Sequence, residues 1–190
     1  KSCLIVGGGK IAFQKIQQLL YSNALVTVVA TKISKSILSL PVTAVQRCYQ
    51  VSDLDGVKLV IAATNNKKVN QTVYKGANNR GLPVNVVDQP ELCSFYMGSV
   101  YVDGDLKIAV STNGACPTFG LYIKNHIKNI SKGLWGRALN DLAIKREIII
   151  KTLSSYTEKK EVMGRLVRSR LGTIGTADKP KGKVFLVGAG

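Results

Sequence analysis

The stretch SCLIVGGGKIAFQK, residues 2–15, constrains the fold more than any other. Five strand-like residues, four of them apolar, run straight into three glycines, and a helix-patterned segment follows from Ile11 to Leu20. Gly7, Gly9 and Ala12 fit G-x-G-x-x-A in that context. The first glycine permits the tight turn, and the second lets a pyrophosphate approach the backbone. The small Ala12 lets the helix lie close on the strand, while the helix N-terminus favours phosphate charge. The candidate cofactor-binding residues here are Gly7, Gly9, Lys10, Ile11 and Ala12, the alternative being a structural glycine turn.

The same strand–helix alternation continues. Strands are expected at Leu25–Val29, weakly at Val42–Val45, at Val57–Ala63 and at Pro83–Val87, with a helix over Lys68–Asn79 ended by Gly81. Apolar strands alternating with helices predict an α/β fold, a Rossmann-type doubly wound parallel sheet over residues 1–91. The pattern then changes. Ser94–Val102 and Asp105–Val110 read as two strands around the turn DGD, and residues 118–130 and 134–170 read as helical. Ile148, Ile149 and Ile150 in succession predict a helix buried on more than one face, or an interface. The expected organisation is therefore a dinucleotide domain (1–91), a hairpin-plus-helix dimerisation region (92–130), a small helical domain (131–172), and a linker (173–190). That last segment is rich in Gly, Thr, Pro and Lys and closes on a new strand-like run, KVFLVGAG. Strand-like sequence beginning at Lys1 gives the chain the look of a segment of a longer protein.

Charge narrows the partners. The net charge is +16, and residues 124–170 hold 12 basic against 4 acidic side chains. Such a patch attracts a polyanion or is simply a solvated helical face. No nucleic-acid motif or aromatic platform accompanies it, so nucleic acid is not expected. No apolar run approaches the ~18–20 residues that span a bilayer, so no membrane partner is expected. Cys3, Cys48, Cys93 and Cys116 are scattered without a C-x-x-C pair, which argues against a zinc site and a disulfide framework. Reduced thiols fit a cytoplasmic protein. His126, alone between lysines, reads as a surface residue, and no metal ligands are assigned.

Three further stretches carry chemistry. VIAATNN puts Ala63, Thr64 and Asn65 at the C-terminal end of a central strand, where a cofactor crevice opens, or else forms an ordinary turn with an Asn cap. NVVDQP ends another strand on Asp88 at the same sheet edge, with Asn85 before it. Desolvation in such a crevice would raise the carboxyl's pKa and suit it to proton transfer; the plain alternative is a turn aspartate before Pro90. The second strand ends VVATKIS, with no acid to read a ribose 2′-hydroxyl; Lys32 there is a surface lysine or a partner for a 2′-phosphate. In VSTNGACPT, Cys116 stands before a helix as a nucleophile would, yet His126 lies ten residues further on. Ten helical residues span ~15 Å, too far for a thiol–imidazole pair.

LIVGGGKIAFQK, VIAATNNKKVNQTV and NVVDQPELCSFYMGSVYVDGDLKIAVSTNGACPT, in this order, resemble the N-terminal part of the siroheme synthase family. That family comprises the precorrin-2 dehydrogenases and sirohydrochlorin ferrochelatases. The likeness runs from about Ser2 to Ile130 and more loosely to Arg170, and GKVFLVGAG is similar to the opening of a uroporphyrinogen-III methyltransferase domain. The resemblance implies NAD-dependent oxidation of precorrin-2 to sirohydrochlorin, then Fe²⁺ insertion, Fe²⁺ being a substrate. It implies that Asp88 is the general base for both steps and that residues 94–130 build a homodimer. It also implies that Asn85, Ser111, Thr112, Asn113, Gly114 and Cys116 line the tetrapyrrole crevice. Two departures stand out: Cys116 occupies a position where many members have serine, and Ala30 and Thr31 stand where an acidic or polar reader of the ribose would be expected. The alternatives are a dehydrogenase without chelatase activity and a dinucleotide-sensing regulatory domain.

Overall fold

A computed structural model describes residues 1–175. Five parallel strands are β1 (Ser2–Val6), β2 (Leu25–Ala30), β3 (Thr43–Gln46), β4 (Leu59–Ala62) and β5 (Val84–Val86). They form one sheet in the order β3-β2-β1-β4-β5. Helices α1 (Lys10–Leu20), α2 (Lys35–Leu38) and α3 (Lys67–Asn78) connect them. This is the doubly wound parallel sheet expected from the sequence.

Burial on both faces explains the apolar runs. In β1, Leu4 and Val6 join Val60, Val73 and Val84 on one face. Ile5 points to the other, with Ala12 and Ile16 of α1 and Ile37 of α2. Leu4, Ile5 and Ile16 are fully buried, and each contributes about 1.5–3 kcal/mol over an exposed side chain. The chain reverses its direction of strand addition between β1 and β4. In such sheets the ligand crevice lies at that switch point, beyond the C-terminal strand ends.

The described residues form two compact units, Lys1–Gly98 with Ser111–Cys116, and Ser99–Val110 with the chain from Pro117 onward. The second holds the antiparallel hairpin β6 (Ser99–Asp103) and β7 (Leu106–Val110), then α4 (Pro117–Ser131), α5 (Leu134–Thr152) and α6 (Tyr156–Gly175). Gly104 takes φ +60 at the first position of the two-residue turn, as that turn requires. Tyr101 and Ser131 share a buried hydroxyl hydrogen bond. The Gly136 amide donates to Asp103 Oδ2 at 2.9 Å, which ties α5 to the hairpin.

Three expectations need correcting. Ser94–Gly98 is not strand: Ser94 bonds back to Val84, Asn85 Nδ2 donates to the Phe95 carbonyl, and Gln18 Nε2 donates to that of Gly98. These ties hold the segment on the first unit, away from a ladder. In the isoleucine run only Ile149 is buried, Ile148 and Ile150 being exposed, so burial on more than one face is not seen, while the interface alternative is untouched. Helix α6 continues to Gly175, beyond the expected start of the linker, and residues 176–190 lie outside the described residues.

Candidate active site

The glycine turn builds the first part of the site. A Cβ on Gly7 would sit 2.3 Å from the Ala63 carbonyl oxygen, and one on Gly8 would sit 2.1 Å from that of Lys32. Gly7 also has φ +131, where side chains are strained. These two glycines let the turn press against β4 and the β2–α2 loop. Gly9 differs: a Cβ there would meet nothing within 4 Å. It faces a cavity of about 570 Å³ lined by Gly7, Gly9, Ala63, Thr64 and Asn65 among others, within the size range of small-ligand sites.

Helix termini decide where an anion would sit. No side chain caps α1, which leaves the amides of its first turn open to an anionic ligand. In α3, Asn66 Oδ1 accepts the Lys68 and Val69 amides at 3.0 and 3.2 Å, so that end is already satisfied. The open space over Gly9, the uncapped α1 terminus and the cavity fit a dinucleotide with its pyrophosphate at α1.

Other expected cofactor residues fall in different surroundings. Lys10 and Ile11 are exposed in the first turn and do not line the cavity. Ala12 is fully buried in the core, so its part is to let α1 approach the sheet. The Thr64 hydroxyl donates to Asn70 Oδ1 at 2.7 Å and accepts the Asn66 amide at 3.1 Å, bonds that shape the loop itself. Sequence reasoning passed over Gly8, Arg47, Cys48, Tyr49 and Lys68, all of which line the cavity.

The second part of the site is the turn after β5. The Val87 amide donates to the Ala62 carbonyl at 2.9 Å, which prolongs the parallel ladder by one bond. The next residue, Asp88, takes φ +59, a conformation few residues other than Gly, Asn and Asp adopt readily. Cys93 holds the turn from below. Its Sγ accepts the Val86 amide at 3.3 Å and donates to the Val86 carbonyl at 3.2 Å. Asn85 is buried, and its amide also reaches Cys93 Sγ at 3.4 Å, so its Nδ2 braces this turn. Asp88 itself is exposed on this turn, not enclosed as the crevice reading expected.

The segment Ser111–Cys116 belongs to the same unit. Asn113 and Gly114 have φ +51 and +80, and Gly114 lies over the Tyr96 ring, where a Cβ would come within 3.3 Å. The Tyr96 hydroxyl donates to the Pro90 carbonyl at 3.3 Å, so this turn and the Asp88 loop meet through Tyr96. Ser111, Asn113, Gly114 and Cys116 are exposed and Thr112 is half-buried. All four cysteines are free thiols. Among the described residues, no group of three His, Cys, Asp or Glu gathers as a metal site, and no helix is long and apolar enough to cross a membrane.

Lys15, on α1, was not singled out from the sequence. Burial pulls its ammonium below the ordinary lysine value, and nearby Cys93 and Asp88 pull it partly back. A lysine so lowered releases its proton on folding, so the unfolded chain binds more protons between the lowered value and ~10.4. Stability therefore rises with pH across that window. Lys15→Met should be at least as stable as the parent at neutral pH and should lose that rise. Denaturant unfolding at neutral and alkaline pH checks both; a less stable variant at neutral pH would mean that the ammonium's contacts outweigh its burial.

Comparisons with known proteins agree with this geometry. Residues 1–99 match the family described as "Putative NAD(P)-binding", and residues 103–130 match "Sirohaem biosynthesis protein central". A siroheme synthase of Methylobacillus flagellatus is 34% identical over 164 residues, covering 84% of this chain and 35% of that protein. One of Vesicomyosocius okutanii is 31% identical over 213 residues, covering 100% and 46%. The chain thus spans less than half the length of these relatives. The solved structure of SirC, precorrin-2 dehydrogenase, is similar with a TM-score of 0.75 and 26% identity, covering 92% of this chain and 94% of that one.

Proposed function

Because the chain belongs to the siroheme synthase family, matching its N-terminal part with an NAD(P)-binding domain, we propose that it oxidises precorrin-2 to sirohydrochlorin, with NAD⁺ as acceptor, and then inserts Fe²⁺. The observation that carries this reading is Asp88. It stands at φ +59 just past the end of β5, on the same C-terminal sheet edge as the glycine turn.

The bound dinucleotide supplies a hydride acceptor. The glycine turn and the α1 terminus hold its pyrophosphate, and Ala63 leaves space beside β4. Dehydrogenation removes a hydride and a proton from the macrocycle, and the Asp88 carboxylate takes the proton. Metal insertion replaces two pyrrole protons with Fe²⁺; the Asp88 carboxylate, having released the first step's proton to water, receives one of them and water takes the other. The 111–116 turn, stacked on Tyr96, offers Ser111, Thr112 and Asn113 to the tetrapyrrole. A soluble substrate and four free thiols suit a cytoplasmic site of action. Exposed Phe119 and Tyr122 on α4 and Ile144 and Ile148 on α5 support a homodimer.

The test mixes purified protein, precorrin-2 and NAD⁺. NADH absorbance should grow with enzyme concentration, and its absence with either nicotinamide cofactor would sink the dehydrogenase. A second arm supplies sirohydrochlorin and Fe²⁺, which enzyme should consume faster than buffer does. The likeness to SirC, named for dehydrogenation alone, favours a dehydrogenase without metal insertion as second reading; a flat iron arm would select it.

A further inference from the structure

We propose that Lys15 anchors a carboxylate of the tetrapyrrole beside Asp88, so that α1 takes part in selecting a polycarboxylate macrocycle as substrate. The inference rests on precorrin-2 being that substrate. Its acetate and propionate carboxylates must come close to the Asp88 carboxylate, and like charges repel. A cation at the same edge offsets that repulsion and gives one substrate carboxylate a fixed partner.

Lys15 stands where such a cation is needed. Helix α1 begins directly after the glycine turn, so its N-terminus lies at the C-terminal edge of the sheet, where Asp88 follows β5. Side chains on a helix lean toward its N-terminus, which carries the Lys15 ammonium back toward that edge. Gln18, three residues on and therefore on the same helix face, donates to the Gly98 carbonyl at 3.3 Å. Phe95 and Met97 pack against the cluster that holds Ala12 and Ile16 of α1. The Lys15 face of α1 is thereby turned to the segment that Cys93 ties to the Asp88 turn. Lys15 is half-buried there, whereas Lys10 at the start of the helix is exposed. Cys93 and Asp88 both act on the ammonium, raising its proton affinity against the effect of burial. Among the described residues Lys15 nonetheless belongs to no ion pair, so its charge is felt at the Asp88 turn without being spent on a direct partner. It does not line the dinucleotide cavity, which puts it on the substrate's side of the site. Because water screens a half-buried ammonium less than an exposed one, an arriving carboxylate gains more here than at the surface lysines.

Initial rates of NADH formation from precorrin-2 at saturating NAD⁺ test this in the whole protein. Lys15→Met should raise KM for precorrin-2 about tenfold, the worth of one charge-assisted hydrogen bond. Its kcat should change by less than about threefold, as expected for a contact made equally in ground and transition states. Lys15→Gln, which keeps a polar head, should behave alike, and both should bind NAD⁺ as the parent does. Raising the ionic strength should raise the parent's KM more than that of either variant. Lys58→Met removes the same charge from an exposed position just before β4, at the opposite edge of the sheet, and should leave KM unchanged. A parent-like KM in both Lys15 variants overturns the anchor, and so does an equal rise in Lys58→Met, which would mean that net charge alone is felt. A fall in kcat at unchanged KM overturns it as well, as does loss of NAD⁺ affinity in both variants, which would make Lys15 structural. If the parent forms no NADH from precorrin-2, the substrate reading falls and the anchor falls with it.

Discussion

Asp88→Asn should lower kcat for precorrin-2 oxidation by about 10²–10⁴-fold, the usual worth of a positioned general base, while dinucleotide affinity stays at the parent value. The choice of variant follows from the backbone. Asp88 has φ +59, which Asn tolerates nearly as well as Asp but Ala does not. The amide keeps the shape of the carboxylate and removes only its capacity to take a proton. Asp88→Ala would confound lost chemistry with a strained turn. Because Asp88 does not line the dinucleotide cavity, titration with the cofactor separates the two parts of the site. Full activity in Asp88→Asn would move the base elsewhere, and lost cofactor binding would show that the turn is structural. If one carboxylate serves both reactions, iron insertion falls with dehydrogenation in the same variant; a fall in only one of them divides the roles.

How much of this was legible in the sequence depended on the range of the interactions. The β1 strand, glycine turn and α1 were readable because their causes are local: an apolar run, a positive-φ glycine and 3.6-residue periodicity. Gly8 was invisible for the opposite reason. Its requirement comes from the Lys32 carbonyl, 24 positions away in the chain, and a middle glycine in GGG carries no local sign of it. Arg47 was hidden similarly, at the tail of a weak strand and oriented by Asp53 six residues later. The position of Asp88 was legible as a strand end, but its exposure was not, since only the fold decides what covers a turn. Ser94–Gly98 looked like strand because Phe95, Tyr96 and Met97 lead into SVYV, yet Asn85, Gln18 and Ser94 supply side-chain bonds that occupy the backbone otherwise. Lys15 read as one more lysine on a basic chain, and it is burial in the first unit that sets it apart.

The three glycines of the turn should respond to alanine in opposite ways. Gly7→Ala and Gly8→Ala should each cost about 3 kcal/mol or more, enough to remove a large share of the ~5–15 kcal/mol that stabilises an ordinary domain. The new Cβ at Gly8 would stand 2.1 Å from the Lys32 carbonyl oxygen and 2.9 Å from the Ile33 Cα. Both are backbone atoms, so no side-chain rotation relieves the clash. At Gly7 the clash is with the Ala63 carbonyl at 2.3 Å, and φ +131 adds strain of its own. Gly9 has φ −96 and open space where its Cβ would go. Gly9→Ala should therefore fold normally, and the smaller entropy of its unfolded chain can add about 0.4–1 kcal/mol. The same methyl enters the space assigned to the pyrophosphate, so dinucleotide binding should weaken by about tenfold or more, the loss of one or two charge-assisted hydrogen bonds. Thermal unfolding and cofactor titration of the three variants side by side read both effects. A Gly9→Ala protein that binds the dinucleotide normally would remove the pyrophosphate from this turn. A stable Gly8→Ala protein would show that the β2–α2 loop can retreat from it.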